Sequence, residues 1–117
     1  MSHWIDAGAA DDLADGAMKA LDVEGNRILL ARDGDLYFAA NERCPHMGGP
    51  LSRGILEGTV VTCPRHGSRF DLSSGEVVRW TDWSGVKLAL AKVVRPPRPV
   101  KTYPVRVEEG RLRVDLG

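Results

Sequence analysis

Four residues of this chain have the types and spacing of a metal site: Cys44, His46, Cys63 and His66. They form two clips, Cys44-x-His46 and Cys63-x-x-His66, with sixteen residues between His46 and Cys63 and glycine close behind each clip. The clips take both cysteines of the chain and two of its three histidines. A soft thiolate and an imidazole from each of two loops make four ligands, enough to complete a tetrahedral metal site or to hold an iron–sulfur core. Three chemistries are open to them. A disulfide leaves the paired histidines and glycines without a role. A Cys2His2 zinc site has the right ligand count, although structural zinc clips space their ligands by about two to four residues and C-x-H is tighter. A [2Fe–2S] cluster with two cysteines on one iron and two histidines on the other uses all four.

Around the ligands the chain reads Cys-Pro-His-Met-Gly-Gly-Pro-Leu from Cys44 and Cys-Pro-Arg-His-Gly-Ser-Arg-Phe-Asp from Cys63. The pair of motifs resembles that of the Rieske-type ferredoxins, the electron carriers of bacterial multicomponent oxygenases. A weaker resemblance runs from Trp4 to Leu116. It implies that Cys44 and Cys63 bind the inner iron, and His46 and His66 the outer iron near the surface. It implies an all-β sandwich or barrel, one domain over residues 1–117, with a small inserted cluster-binding subdomain at about 43–72. The implied role is electron transfer and not catalysis, from a ferredoxin reductase to a terminal oxygenase component. The runner-up is the small Rieske subunit of an assimilatory nitrite reductase. A zinc-stapled interaction module, colourless and redox-inert, is the alternative of another class.

The ligand set sets the charge. Two ferric ions, two sulfides and two thiolates are formally neutral, and one electron makes the site singly negative. A four-cysteine cluster starts at two negative charges, so histidine ligation eases reduction and raises the potential. The free imidazole nitrogens of His46 and His66 can lose protons when their iron is ferric, so the potential should fall at high pH. High-potential relatives carry an added disulfide between the ligand loops, with serine and tyrosine hydroxyls on the sulfurs. By resemblance Gly49 and Arg65 stand at the disulfide positions and Phe70 at the tyrosine, while Ser68 keeps a hydroxyl for a sulfur. The low end of the range of roughly −150 to +300 mV is expected. Arg43, Arg53, Arg65 and Arg69 would push it up if they crowd the cluster; otherwise they are solvated loop charges. A catalytic mononuclear iron needs about two histidines and a carboxylate. Only His3 is left for it, and His3 reads as a solvated terminal residue.

The elements that position the ligands read as strands. Trp4 and Ile5 anchor a lead-in strand, and Ala17–Val23 alternates up to a Glu24-Gly25-Asn26 turn. Arg27–Arg32 reads as a strand buried on both faces, and Asp33-Gly34 turns it into Leu36–Ala40. Gly48, Gly49 and Pro50 let the first ligand loop turn sharply and approach the cluster, with Leu51 shielding the inner iron. Gly54–Thr62 is expected to be a short hairpin that delivers Cys63. Glu76–Val78 is a strand after the Ser73–Gly75 turn. Within residues 79–95, Trp83, Val86, Leu90, Val93 and Val94 fall on one helical face, and a short helix is expected, although alternation also fits. Trp80 and Trp83 either pack in the core or cover the cluster. Pro96-Pro97-Arg98-Pro99 matches the proline loop that covers the cluster in the family. Lys101–Val107 and Arg111–Leu116 make a closing hairpin around Glu109-Gly110.

Composition frames these readings. The 117 residues carry 43% hydrophobic and 27% charged side chains with a net charge of zero, a globular balance for a domain with a modest core. Charge is uneven: the first 42 residues carry nine acids and three bases, whereas residues 79–101 carry six bases and one acid. Such asymmetry can steer a partner if it survives folding. No basic tract with interleaved aromatics points to nucleic acid. No apolar run approaches a membrane span and no signal-peptide pattern opens the chain, so a cytoplasmic monomer with reduced thiols is expected.

Overall fold

The computed structural model describes residues 2–45, 48–65, 67–80, 90 and 97–117. The short helix expected within 79–95 falls almost wholly outside them; Leu90, the described residue of that stretch after Trp80, is helical and exposed. Alternation and turn chemistry set the first strands: β1 (Trp4–Ala9), β2 (Met18–Val23), β3 (Asn26–Asp33) and β4 (Leu36–Asn41). The β2–β3 turn places Glu24 at φ 50° and Gly25 at φ 81°, the paired positive φ that matches strand twist in a two-residue hairpin. The β3–β4 turn is Gly34-Asp35, one residue later than the sequence expectation. Gly34, at φ 61°, takes the position that a side chain would strain.

A one-turn 3-10 helix, Leu51–Arg53, leads into β5 (Ile55–Glu57), β6 (Val60–Thr62), β7 (Arg69–Asp71) and β8 (Val77–Arg79). The chain closes with β9 (Thr102–Tyr103), β10 (Val105–Glu108) and β11 (Arg111–Asp115). These strands make three antiparallel sheets, ordered β1-β11-β10, β2-β3-β4-β9 and β5-β6-β7-β8. The third is built from chain between β4 and β9, as an insertion into the other two.

One expected strand is divided. Lys101–Val107 splits at Pro104: β9 pairs with β4 in the second sheet, and β10 pairs with β11 in the first. Proline has no N–H for a ladder, and here the Pro104 carbonyl accepts from Asp115 N at 3.0 Å instead. The break hands the chain from one sheet to the other.

β3 explains how the sheets share a core. Ile28, Leu29, Leu30 and Ala31 are all buried, and their side chains alternate across the strand. Leu29 and Ala31 join Ala40, Leu51, Val61 and Phe70 in one cluster. Ile28 and Leu30 join Ile5, Ala39, Leu112 and Val114 in the other. Each fully buried leucine or isoleucine contributes about 1.5–3 kcal/mol relative to exposure. Trp4 is only partly buried, with the Arg106 guanidinium 3.9 Å above its ring. Among the described residues no helix is long and apolar enough to cross a membrane.

Candidate metal centre

Cys44 follows β4 and Cys63 follows β6, and both belong to the β3–Phe70 core, each only 3% exposed. Their loops repeat one hydrogen-bond pattern. Cys44 N donates to Gly49 O at 2.8 Å, and Gly48 N donates back to Cys44 O at 2.7 Å. Cys63 N donates to Ser68 O at 2.7 Å, and Gly67 N donates back to Cys63 O at 3.2 Å. In each loop the glycine four residues after the cysteine is left-handed, Gly48 at φ 73° and Gly67 at φ 68°. A non-glycine residue there would carry the clash between Cβ and carbonyl. The described parts of the two ligand loops are therefore alike in backbone hydrogen bonding.

Gly49 brings the loops together. Its carbonyl holds the Cys44 amide, and a Cβ built on it would stand 2.9 Å from Cys63 Sγ and 3.2 Å from Arg65 Cδ. A glycine is needed because the second sulfur occupies the space of its side chain. Gly49 and Arg65, which the family resemblance places at the positions of an extra disulfide, are in contact; here the Arg65 stem covers the glycine.

The surroundings are apolar and buried. Leu51 and Phe70 are fully buried in the same core as the cysteines, and Trp80 is buried with them. Trp80 stands edge-on to Phe70, with ring centroids 6.4 Å apart and planes at 86°. Trp80 is thus a core residue, while Trp83 lies outside the described residues. The fully buried Ser68 departs from expectation: its hydroxyl donates to the Trp80 carbonyl. This bond ties the second ligand loop to the end of β8 and gives the hydroxyl a backbone partner where a sulfur is expected from the resemblance. The β7–β8 turn is braced by Asp71, whose carboxylate accepts from Ser73 Oγ at 2.6 Å and Ser73 N at 2.9 Å. These hydrogen bonds hold the Asp71 carboxyl below its ordinary value of 3.8.

One support was not foreseen from sequence. Glu42 is 2% exposed; it accepts from Ser52 N at 2.7 Å and also from Ser52 Oγ. It so pins the helix that carries Leu51. Its signal was present, an acid two residues before a ligand, but among nine acids in that part of the chain nothing marked it for burial. Arg98 of the proline loop reaches Pro45 O with Nη2 at 3.3 Å, which sets that loop against the first clip as expected.

Among the described residues no group of three or more His, Cys, Asp and Glu side chains forms a metal site. His46 and His66 lie outside those residues, so the structure brings together the cysteine half of the expected set. That half fits a cluster with buried inner ligands: two cysteines in one apolar core, on matched loops, with a glycine where a side chain would displace a sulfur.

The family model of the Rieske [2Fe-2S] domain matches residues 3–104. This chain belongs to that family. Its cofactor is a Rieske-type [2Fe–2S] cluster, which sets aside the zinc and disulfide readings. The ferredoxin component of the naphthalene 1,2-dioxygenase system of Pseudomonas putida is 34% identical over 114 residues, covering 97% of this chain and 95% of that protein. The ferredoxin of carbazole 1,9a-dioxygenase from Nocardioides aromaticivorans superposes with a TM-score of 0.79 at 26% identity, covering 97% of each chain. A putative NADH-dependent nitrite reductase small subunit from Mycobacterium tuberculosis superposes with a TM-score of 0.78 at 26% identity, covering 100% of this chain and 97% of that one. The all-β Rieske fold expected from the motifs is thereby established.

Proposed function

We propose that this protein is the one-electron ferredoxin component of a multicomponent oxygenase system, accepting electrons from a reductase and passing them to a terminal oxygenase. Cys44, His46, Cys63 and His66 hold its cluster, the cysteines on the buried iron and the histidines on the outer one. The observation that carries this reading is the cysteine pair itself, buried in one core on two loops of the same backbone design. When bound, the cluster supplies a reversible one-electron couple. The chain's own residues shape the site around it. Leu51, Phe70 and Trp80 keep water from the cysteine side, and Gly49 admits the second sulfur. We treat residues 1–117 as one domain with its cluster-binding subdomain at about 43–72, a cytoplasmic monomer.

The similarity to ferredoxin components of dioxygenase systems supports the carrier. The fit to a nitrite reductase small subunit supports a second reading, permanent membership of a larger reductase. The deciding experiment has two parts. A red-brown protein whose dithionite-reduced form gives a rhombic EPR signal with average g below about 2 supports the Cys2His2 cluster. Elution as a monomer that turns over between a reductase and an oxygenase then supports the carrier. Recovery only in a stable complex with a nitrite reductase would refute it in favour of the second reading.

A further inference from the structure

Each cysteine is flanked by a groove, and both grooves are cationic. The one beside Cys44, about 360 Å³, is lined by Arg43, Arg98 and Lys101 together with Pro45 and Pro99. The one beside Cys63, about 400 Å³, is lined by Arg53 and Arg65 together with Ile55 and Pro64. Among the described residues lining either groove there is no carboxylate.

The rest of the molecule treats its arginines differently. Arg27 is paired with Asp22 at 2.9 Å, Arg106 with Glu108 at 3.0 Å and Arg111 with Asp6 at 3.0 Å. Among the described residues no carboxylate pairs with Arg43, Arg53, Arg65, Arg98 or Lys101. In a chain of zero net charge, five cations around the cysteine loops that no described carboxylate pairs give this end a local positive field. The matching acids lie in the first 42 residues. Ile55 adds an apolar contact in the second groove, 63% exposed on β5. A large exposed apolar side chain with arginines beside it is the composition of a protein interface more than of a small-anion site.

We infer that these two grooves are the docking surface for an acidic face of a redox partner protein, whose Asp and Glu side chains meet the five cations while an apolar residue covers Ile55. The inference rests on the carrier reading and names the chemistry of its partner. Such a surface acts first on encounter: it orients the approach so that the cluster end, and not the acidic remainder, meets the partner.

The test uses the reduced holoprotein and two inorganic oxidants of opposite charge, hexacyanoferrate(III) and hexaammineruthenium(III), each taking one electron. Rates are followed by stopped flow from about 0.01 M to about 1 M ionic strength, where the Debye length falls from ~30 Å to ~3 Å. We expect the hexacyanoferrate rate to fall about tenfold and the ruthenium rate to rise. Arg43→Glu/Lys101→Glu should flatten or reverse both slopes with the visible spectrum unchanged. Arg106→Glu/Arg111→Glu, an equal charge change on β10 and β11, should leave them as in wild type. Poly-L-glutamate should bind the oxidised protein in calorimetry, more tightly than monomeric glutamate at equal carboxylate concentration, and lose affinity in the double variant.

Flat or inverted slopes in the wild type, which need no variant, would overturn the inference. So would head-to-tail self-association at low salt, which would assign the grooves to the acidic part of a second copy. Tighter binding of duplex DNA than of poly-L-glutamate would also overturn it. A colourless preparation without a reducible chromophore would instead remove the carrier reading, and would be seen before any kinetics.

Discussion

Gly49→Ala is the sharpest probe of how the two ligand loops meet. The new methyl would stand 2.9 Å from Cys63 Sγ and 3.2 and 3.3 Å from Arg65 Cδ and Cγ. That is roughly 0.6–1.1 Å inside the 3.5–4.0 Å optimum for non-bonded contacts. Arg65 is exposed and can swing aside; a sulfur fixed on iron cannot. Gly49 is not among the glycines with positive φ, so alanine meets no backbone strain there. Without the contact, Gly→Ala would stabilise by about 0.4–1 kcal/mol through the unfolded chain. Overpacking costs about 1–3 kcal/mol, which leaves a net loss of about 1–2 kcal/mol. At about 5 °C per kcal/mol for a domain of this size, the thermal midpoint of the holoprotein should drop by roughly 5–10 °C. Iron and acid-labile sulfide per chain should fall with it. Gly58→Ala is the comparison: at φ 60° with nothing within 4 Å, it strains the β5–β6 turn but should leave iron content intact. A Gly49→Ala protein with full iron and a midpoint at or above wild type would refute the reasoning.

Ser68→Ala removes the hydroxyl donor from the buried Trp80 carbonyl and should cost about 1–3 kcal/mol in urea denaturation. If the hydroxyl serves the backbone and not a sulfur, the reduction potential should move by less than ~59 mV, one tenfold step for a one-electron couple. Phe70→Ala opens a cavity beside Trp80 and the cysteines and should cost about 3–5 kcal/mol, read as a shifted denaturation midpoint. Asp71 has a folded pKa lowered by its bonds to Ser73 and Thr59. Its contribution is therefore complete above the ordinary value near 3.8 and is lost as pH falls through the lower folded value. Asp71→Asn should be less stable at neutral pH yet lose less on acidification, as thermal midpoints against pH would show. Cys63→Ser should abolish the visible absorption and leave the purified chain without iron.

The strands were legible because their patterns were local. Ile28–Ala31 announced a two-sided strand by four consecutive apolar residues, and Glu24-Gly25 and Glu109-Gly110 announced their turns by residue type. The cysteine loops were legible because few chemistries use that spacing. What escaped depended on partners distant in sequence. Ser68 could be placed in the second loop, but only the fold brings the Trp80 carbonyl to its hydroxyl. Glu42 looked like one acid among many until Ser52 was seen to satisfy it. Pro104 lay inside a clean alternation, and alternation is blind to which sheet a residue joins. The five cations of the grooves were visible as residues, but that no carboxylate among the described residues pairs with them is a property of the fold.

β3 gives one face to the core of the cysteines and the other to the core of β1 and β11. This makes the inserted sheet a poor candidate for transplantation. A protein engineer who excised residues 43–80 and grafted them onto another scaffold would leave behind Leu29, Ala31 and Ala40, the floor on which the cysteines rest. The smallest portable unit includes β3 and β4. Once those are taken, Ile28 and Leu30 demand a covering of their own, so the recipient must supply a second hydrophobic layer before it can supply iron.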